Sequence, residues 1–442
     1  MRQLSGKRVV VVGMALSGAA AVKLLLRKGA MVRAVDQKQK GEVEGVTIEP
    51  QSEAAFRDAE LVVISPGVPA DLDLFGPLRA RGVPVIGELE LAAPFLAGQN
   101  IGITGTNGKT TTTALTGHIL RQSGIACQVG GNIGTAPAEM VATSRTDQWN
   151  VLELSSFQLE TIETFHAPIA ACLNVTQNHL DRHHTFENYV SAKARLFETQ
   201  RAEDLAVLNA DDAVTVNFAR RTPAKAVWFS GTQAVDGAWL DGAVIRIHSA
   251  ELLNVRDLRL RGRHNYENVM AAALIAECAG ASRAQIASAA ATFAPVEHRL
   301  EFVRDIGGVG YYNDSKATSV DATLKAIDAF PGGLWIILGG KDKGSDYTVL
   351  RGPLRNKARA ALLIGAAASK IEKQLGDAVP LVSCGTLADA IDKASHAAVA
   401  GDTVLLAPAC ASFDQFESFE HRGRVFKDLV HALAEHATKG GQ

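Results

Sequence analysis

Short β-branched runs, each closed by glycine, serine or an acid, recur along the first part of the chain. Residues 8–12 (Arg8-Val9-Val10-Val11-Val12) end at Gly13, and an alanine- and leucine-rich stretch after Ser17-Gly18 extends to Gly29. That order predicts strand, glycine turn and helix. Residues 31–35 predict a second strand ending in Asp36, a position where nucleotide-binding α/β units place an acid for a ribose or base. Residues 61–64 lead into Ser65-Pro66-Gly67-Val68-Pro69, and residues 83–86 lead into Gly87-Glu88. Both read as buried parallel strands whose carboxyl ends face a ligand crevice, or as a Rossmann-like sheet that binds nothing. Pro94 and Gly98 predict a linker.

Beyond it, the apolar run Ile101-Gly102-Ile103 meets Gly105-Thr106-Asn107-Gly108-Lys109-Thr110, and a helical pattern follows over residues 111–120. Strand, glycine-rich turn and helix N-terminus make a phosphate cradle, with Lys109 as the cation and the Thr110 hydroxyl suited to magnesium. The strict P-loop spacing wants glycine where Ile103 stands, so a plain turn before a helix is the competing reading. Gly130-Gly131-Asn132-Ile133-Gly134 reads as a second glycine turn. Glu153 lies inside the apolar run around residues 150–154, where a lone carboxylate is costly, so it meets a cation: a metal or a buried arginine. Residues 172–175 predict a strand emptying into Thr176-Gln177-Asn178-His179. If it shares a parallel sheet with the runs before Thr110 and Glu153, those three side chains converge at one carboxyl edge.

A helix over residues 186–200 places Val190, Lys193 and Phe197 on one stripe. A lysine there either snorkels its charge to water or has a depressed pKa and is partly the neutral amine. Residues 205–208 predict a strand, and residues 226–260 alternate like short antiparallel strands. Gly262-Arg263-His264-Asn265-Tyr266-Glu267-Asn268 opens an alanine-rich helix suited to a nucleotide base. Pro295 to Glu301 reads as a hinge. Strands predicted over residues 334–338, 360–364, 381–383 and 403–406 then indicate another Rossmann-like sheet.

The chain has 442 residues, too many for one core, and suggests three domains. Its 45 basic and 47 acidic residues nearly cancel, which excludes a field able to gather nucleic acid or coat an anionic membrane. Five scattered cysteines without C-x-x-C spacing argue against a disulfide framework or zinc site. With no leader-like h-region or spanning run, the expectation is a cytoplasmic protein.

Thr104 to Thr110, Gly131-Asn132-Ile133-Gly134, Glu153-Leu154-Ser155-Ser156-Phe157-Gln158-Leu159, Asn174-Val175-Thr176 with His179, Leu180-Asp181-Arg182, and His264-Asn265 with Asn268 together resemble the ATP-dependent Mur ligases. The likeness runs over essentially the whole chain. Asn313-Asp314-Ser315-Lys316-Ala317-Thr318 and Pro408 to Phe416 place it nearest the branch that adds D-glutamate to UDP-N-acetylmuramoyl-L-alanine. The resemblance implies an α/β chain with N- and C-terminal Rossmann-like sheets flanking a central P-loop ATPase-type domain. Domains are expected at residues 1–94 (UDP substrate), 95–296 (ATP) and 297–442 (amino acid). It implies a monomeric ligase of peptidoglycan precursor synthesis acting through an acyl phosphate.

The resemblance also implies site residues. Gly105, Thr106, Asn107, Gly108, Lys109, Thr110 and Thr111 would hold ATP, with Asn268, Arg299 and Asp314. Thr110 and Glu153 would hold one magnesium ion; His179 and a carbamylated Lys193 would hold a second. Asn132 would meet substrate or the transferred phosphoryl group, and Lys316 the reacting groups. Leu16, Ser17, Asp36, Ser65 and Gly67 would bind the UDP moiety; Thr318, Lys343, Ser412 and Phe419 would bind D-glutamate. The alternatives are a related ligase that extends a different acyl acceptor, such as a folylpolyglutamate-type ligase or another Mur enzyme, and a non-enzymatic nucleotide-binding regulatory subunit descended from such a ligase.

Overall fold

The computed structural model describes residues 3–37, 40–294 and 296–439. Three sheets organise them into a three-domain α/β architecture. The first two sheets lie in one compact unit, Met1–Leu258 with Tyr266–Phe293, and the third in a second unit, Arg259–Asn265 with Ala294–Gln442. The expected hinge begins at Pro295, outside the described residues. Among the described residues no helix is long and apolar enough to cross a membrane.

In the first sheet Arg8–Val12 is central, parallel to Met31–Asp36 on one side and Leu61–Ile64 on the other. Val9 to Val12 are all buried because helices cover both faces, which is why the run is continuously apolar instead of alternating. The helix Leu16–Arg27 begins directly after the Gly13 turn, so Ser17-Gly18 lie inside it, not ahead of it.

Residues 83–86 yield only the short strand Val85–Gly87, and the helix Glu88–Ala92 follows at once. The stretch around Pro94 and Gly98 is a 3-10 turn, Ala93–Phe95, leading into the next strand. The two sheets of this unit are pinned together through that helix. Glu90, fully buried, accepts four hydrogen bonds, from the backbone N–H of Glu163 (2.9 Å), Thr164 (2.9 Å) and Phe165 (3.1 Å) and from Thr164 Oγ1 (2.5 Å).

Glu88 is buried too, but among the described residues it accepts only the Ala138 N–H (2.5 Å) and its second oxygen has no hydrogen-bond partner. Burial pushes its carboxyl from 4.5 up to about 8. The folded chain therefore keeps a proton that the unfolded chain has released, and this group withdraws stability as pH rises from about 4.5 to about 8. Glu88→Gln, which resembles the protonated acid, is expected to match the parent near pH 5. Near pH 8 it should be more stable by about 1–3 kcal/mol. Melting curves at the two pH values check this.

The central sheet has nine strands. Gln99–Thr104 lies between Ile169–Cys172 and Trp149–Glu153, all parallel, as the sequence reading required. The strand expected at 172–175 ends at Cys172, which is fully buried with its thiol pushed up to about 12. Gly130 and Gly131 close the edge strand Cys127–Gly131, so the glycine turn starts only at Asn132. The stretch from residue 226 is not wholly antiparallel. Lys225–Ser230 and Gly237–Asp241 extend the parallel order, and antiparallel pairing begins between Gly237–Asp241 and Val244–Ile247.

The third sheet carries the four expected strands, all parallel, together with a hairpin, Glu301–Ile306 and Val309–Asn313, turned at Gly307-Gly308. The alternating burial of Val309–Asn313 and the Gly-Gly turn are the signals for it that the sequence reading passed over.

Candidate active site

The phosphate-type loop joins Gln99–Thr104 to the helix Lys109–Gln122, two residues longer at each end than the pattern indicates. Gly108 caps that helix with φ +83°. A Cβ at Gly108 would stand 2.2 Å from Asn268 Oδ1, so only glycine lets the loop pass beneath that amide. Asn268 Oδ1 lies 3.3 Å from Thr112 Oγ1, which ties the helix Arg263–Cys278 to the loop. Gly108→Ala is expected to strain the loop by about 1–2 kcal/mol, lower the melting temperature by a few degrees and raise the KM for ATP about tenfold. Steady-state ATP titration of the variant checks this.

Lys109 Nζ donates to the carbonyls of Gly105 (2.9 Å) and Thr106 (2.9 Å), curling over the loop it belongs to. Asn107 is held from the next strand exit, its N–H donating to Asn174 Oδ1 (2.8 Å). Thr106 Oγ1 sits 3.0 Å from Tyr189 OH. Thr110 and Thr111 are buried in the first helical turn.

The helix Phe186–Glu198 starts at Thr185, whose hydroxyl accepts the Asn188 N–H. Its inward stripe delivers Lys193, 1% exposed, beneath the loop. Lys193 Nζ donates to Gly105 O at 2.8 Å and to Thr104 Oγ1 at 3.4 Å, and lies 4.7 Å over the Tyr189 ring. Burial first, and the Lys109 ammonium second, hold its pKa well below the usual lysine value. The snorkelling alternative is thereby excluded. Tyr189, one turn earlier, is the side chain of this group that the sequence reading missed, although its i, i+4 spacing to Lys193 marks it.

Glu153 closes its strand 2% exposed. One carboxylate oxygen accepts from Asn132 Nδ2 (3.1 Å); the other is buried with no partner among the described residues. Among the described residues no arginine pairs with it, against the competing reading. A buried carboxylate oxygen left open among the described residues suits a hard divalent cation. His179 lies on the exit loop of Ile169–Cys172, the strand on the far side of Gln99–Thr104, exposed, with φ +54° and its ring 4.8 Å from that of Phe157.

At the carboxyl edge of the first sheet, Gly13, Leu16, Ser17, Asp36, Ser65 and Gly67 wall a cavity of about 470 Å³ that also takes in Asn132, Gly134 and Gln158 from the central sheet. Asp36 accepts the Met14 N–H at 2.7 Å, and Ser65 Oγ donates to Gly13 O at 2.6 Å, so two of its walls are braced against one turn. Leu16 stands 84% exposed at its lip. Asn132 thus belongs both to this cavity and to Glu153.

The second unit gathers its own polar group. Asp314 is buried, and burial raises its carboxyl to about 7 against the pull of the Arg299 guanidinium. Arg299 Nε and Ser412 Oγ are buried with no hydrogen-bond partner among the described residues. Lys316 Nζ lies 5.5 Å over the Phe419 ring, and Thr318 N–H donates to Lys316 O (2.8 Å). Arg422, 1% exposed and absent from the sequence reading, donates to Ser315 Oγ (2.9 Å), Ser315 O (2.8 Å) and Cys410 O (3.2 Å). It locks the 313–318 segment to the strand exit before Ser412. Lys343 is exposed on a loop fixed by Asp342, which accepts from Tyr347 OH (2.8 Å) and Lys370 Nζ (2.7 Å).

Comparison with known proteins covers most of this architecture. Residues 7–87 match the Mur ligase MurD-like N-terminal domain, residues 103–276 the Mur ligase middle domain, and residues 298–410 the Mur ligase glutamate ligase domain. A relative from Solibacter usitatus named UDP-N-acetylmuramoylalanine--D-glutamate ligase is 60% identical over 437 residues, covering 98% of this chain and 99% of its own. A protein of the same name from Koribacter versatilis is 49% identical over 450 residues, covering 98% and 99%. Among solved structures, the UDP-N-acetylmuramate-alanine ligase of Thermotoga maritima superposes with a TM-score of 0.63 at 18% identity, over 96% of this chain and 99% of that one.

Proposed function

Since this chain belongs to the Mur ligase family, we propose that it is an ATP-dependent ligase that joins D-glutamate to UDP-N-acetylmuramoyl-L-alanine in peptidoglycan precursor synthesis. The observation that carries this reading is the gathering of Lys109, Lys193, Glu153 and Asn132 at one carboxyl edge, with an open carboxylate oxygen among them. Residues 1–94 bind the UDP moiety in the cavity beside Leu16, Ser17, Asp36, Ser65 and Gly67. Residues 95–296 bind ATP, and residues 297–442 bind the amino acid through Thr318, Lys343, Ser412 and Phe419. The chain acts as a cytoplasmic monomer.

The substrate's L-alanyl carboxylate attacks the γ-phosphorus of ATP, ADP leaves, and an acyl phosphate forms. The neutral amine of D-glutamate then attacks the acyl carbon. The tetrahedral intermediate collapses to amide and phosphate. A carboxylate is a poor electrophile, so phosphorylation supplies the leaving group, and the protein's part is placement and charge neutralisation. Lys109 releases its own loop carbonyls to meet the β- and γ-phosphates, and the Gly105–Thr111 amides cradle them. Asn132 orients the carboxylate and the transferred phosphoryl group.

Thr110 and Glu153 would hold one magnesium ion, and His179 with a carbamylated Lys193 a second; magnesium neutralises phosphate charge during the transfer. Asn268, Arg299 and Asp314 would contact ATP, and Lys316 would act on the reacting groups. Bringing the amino acid to ATP from a separate domain makes closure part of the cycle.

The test is phosphate release from ATP with UDP-N-acetylmuramoyl-L-alanine and, in turn, D-glutamate, L-glutamate, meso-diaminopimelate and L-alanine. Release with D-glutamate alone is expected. Release with a different amino acid reassigns the acceptor within the family, and none with any removes the reading.

A further inference from the structure

The segment carrying His179 is held in an uncommon backbone. His179 (φ +54°) and His184 (φ +65°) both occupy the left-handed region and bracket a single helical turn, Leu180–His183. Each such residue costs about 1–3 kcal/mol and persists only where its surroundings over-determine it. Those surroundings come from both sheets of the first unit. On the central side, Phe157 meets His179 edge-on and stacks on His183 at 5.6 Å, and His183 Nε2 lies 2.9 Å from Ser156 Oγ. On the N-terminal side, three ties reach residues 68–71. Arg182 Nη2 donates to Val68 O at 2.7 Å, His184 Nε2 lies 3.1 Å from Asp71 Oδ2, and the Ala70 backbone hydrogen-bonds Glu160.

Arg182 stands where these ties meet. The same guanidinium pairs with Glu160, donates to Val68 and lies 5.0 Å over the Phe157 ring, with only 10% of its side chain exposed. Val68 belongs to the Ser65–Val68 wall of the cavity, and Phe157 abuts His179. One planar cation therefore connects the wall of one site to the ring of a side chain in the other, which a lysine's point charge does not reproduce.

We infer that Arg182 is a positioning residue that couples occupancy of the N-terminal cavity to the placement of His179, so that the UDP-sugar substrate tightens the divalent-cation site. It touches neither ligand. Substrate pressing on the Ser65–Val68 wall fixes the carbonyl that holds Arg182, and Arg182 fixes the Phe157 ring against which His179 rests. Coupling of this kind is reciprocal, so the cation equally tightens the UDP-sugar. The inference rests on the proposed assignment of that cavity and of His179.

The experiment titrates Mn²⁺, a spin-active probe, into the full-length protein with a non-hydrolysable ATP analogue. It is run with and without UDP-N-acetylmuramoyl-L-alanine, on the parent, Arg182→Gln and Arg182→Lys. In the parent the substrate is expected to tighten Mn²⁺ at least about fivefold. In both variants that ratio should fall to within about twofold of unity, although each ligand alone still binds. A parent-like ratio in Arg182→Gln overturns the inference, and so does a uniform loss of both affinities with the ratio retained. Should Arg182→Gln not fold, Glu160→Gln reads the same ratio against the same outcomes. D-glutamate-dependent phosphate release by a parent that shows no coupling defeats this inference and leaves the proposed function standing; absent release defeats the latter.

Discussion

Lys193→Ala is expected to lose about a thousandfold or more in kcat while remaining folded. Lys193 is walled in by the loop carbonyl of Gly105, the Thr104 hydroxyl and the Tyr189 ring, and among the described residues no acidic side chain is hydrogen-bonded to it. Burial and the Lys109 ammonium both favour the uncharged amine. An uncharged amine adds to carbon dioxide, forming a nitrogen–carbon bond and releasing a proton, and the product is a carboxylate equivalent. At Lys193 this exchange would turn a cation repelled by Lys109 into an anion suited to the proposed metal. A short carboxylic acid entering the space left by the side chain should restore part of the activity of Lys193→Ala. Steady-state rates with and without added acid, beside a melting curve, check this. Full activity in the unrescued variant would remove Lys193 from the reaction.

Glu153→Gln should separate activity from stability in opposite senses. The parent buries a carboxylate whose second oxygen has no hydrogen-bond partner among the described residues, a cost of about 1–3 kcal/mol that an amide of the same shape reduces. In metal-free buffer the variant should melt at or above the parent's temperature. Its kcat should fall about a hundredfold or more, because the amide neutralises neither a metal nor, through it, the phosphates. Magnesium with ATP should raise the parent's melting temperature and leave that of the variant nearly still. A variant that melts lower and keeps its activity would make Glu153 a structural acid.

The residues that declare themselves in the sequence are those that break a local rule. Glu153 in an apolar strand and Lys193 in an apolar stripe are anomalies of pattern; parallel strands deliver Glu153 to the edge that carries the phosphate loop, and the inward stripe of the helix Phe186–Glu198 delivers Lys193 to the same loop. Ile103 in place of a glycine is harmless because it is a buried strand residue, ahead of the turn.

What stayed hidden depends on partners far away in the chain. Glu88 and Glu90 differ by two positions in one helix, yet one finds four donors in a loop more than seventy residues on, and the other finds one. Nothing local distinguishes them. Arg422 looks like any helix-surface cation until Ser315 and Cys410 close over it. The hairpin before Asn313 was passed over because its first strand is mostly solvent-facing, leaving little apolar signal.

Cys172 ends the strand that exits beside the phosphate loop, fully buried and with a thiol that stays protonated at neutral pH. Such a thiol reacts with an alkylating reagent only when the sheet around it parts, so its labelling rate counts openings of the central domain. The chain thus carries its own clock. Mass added at that one position over hours would time how often the nucleotide-binding sheet comes apart and how far a bound nucleotide slows it, with no fluorophore or tag introduced.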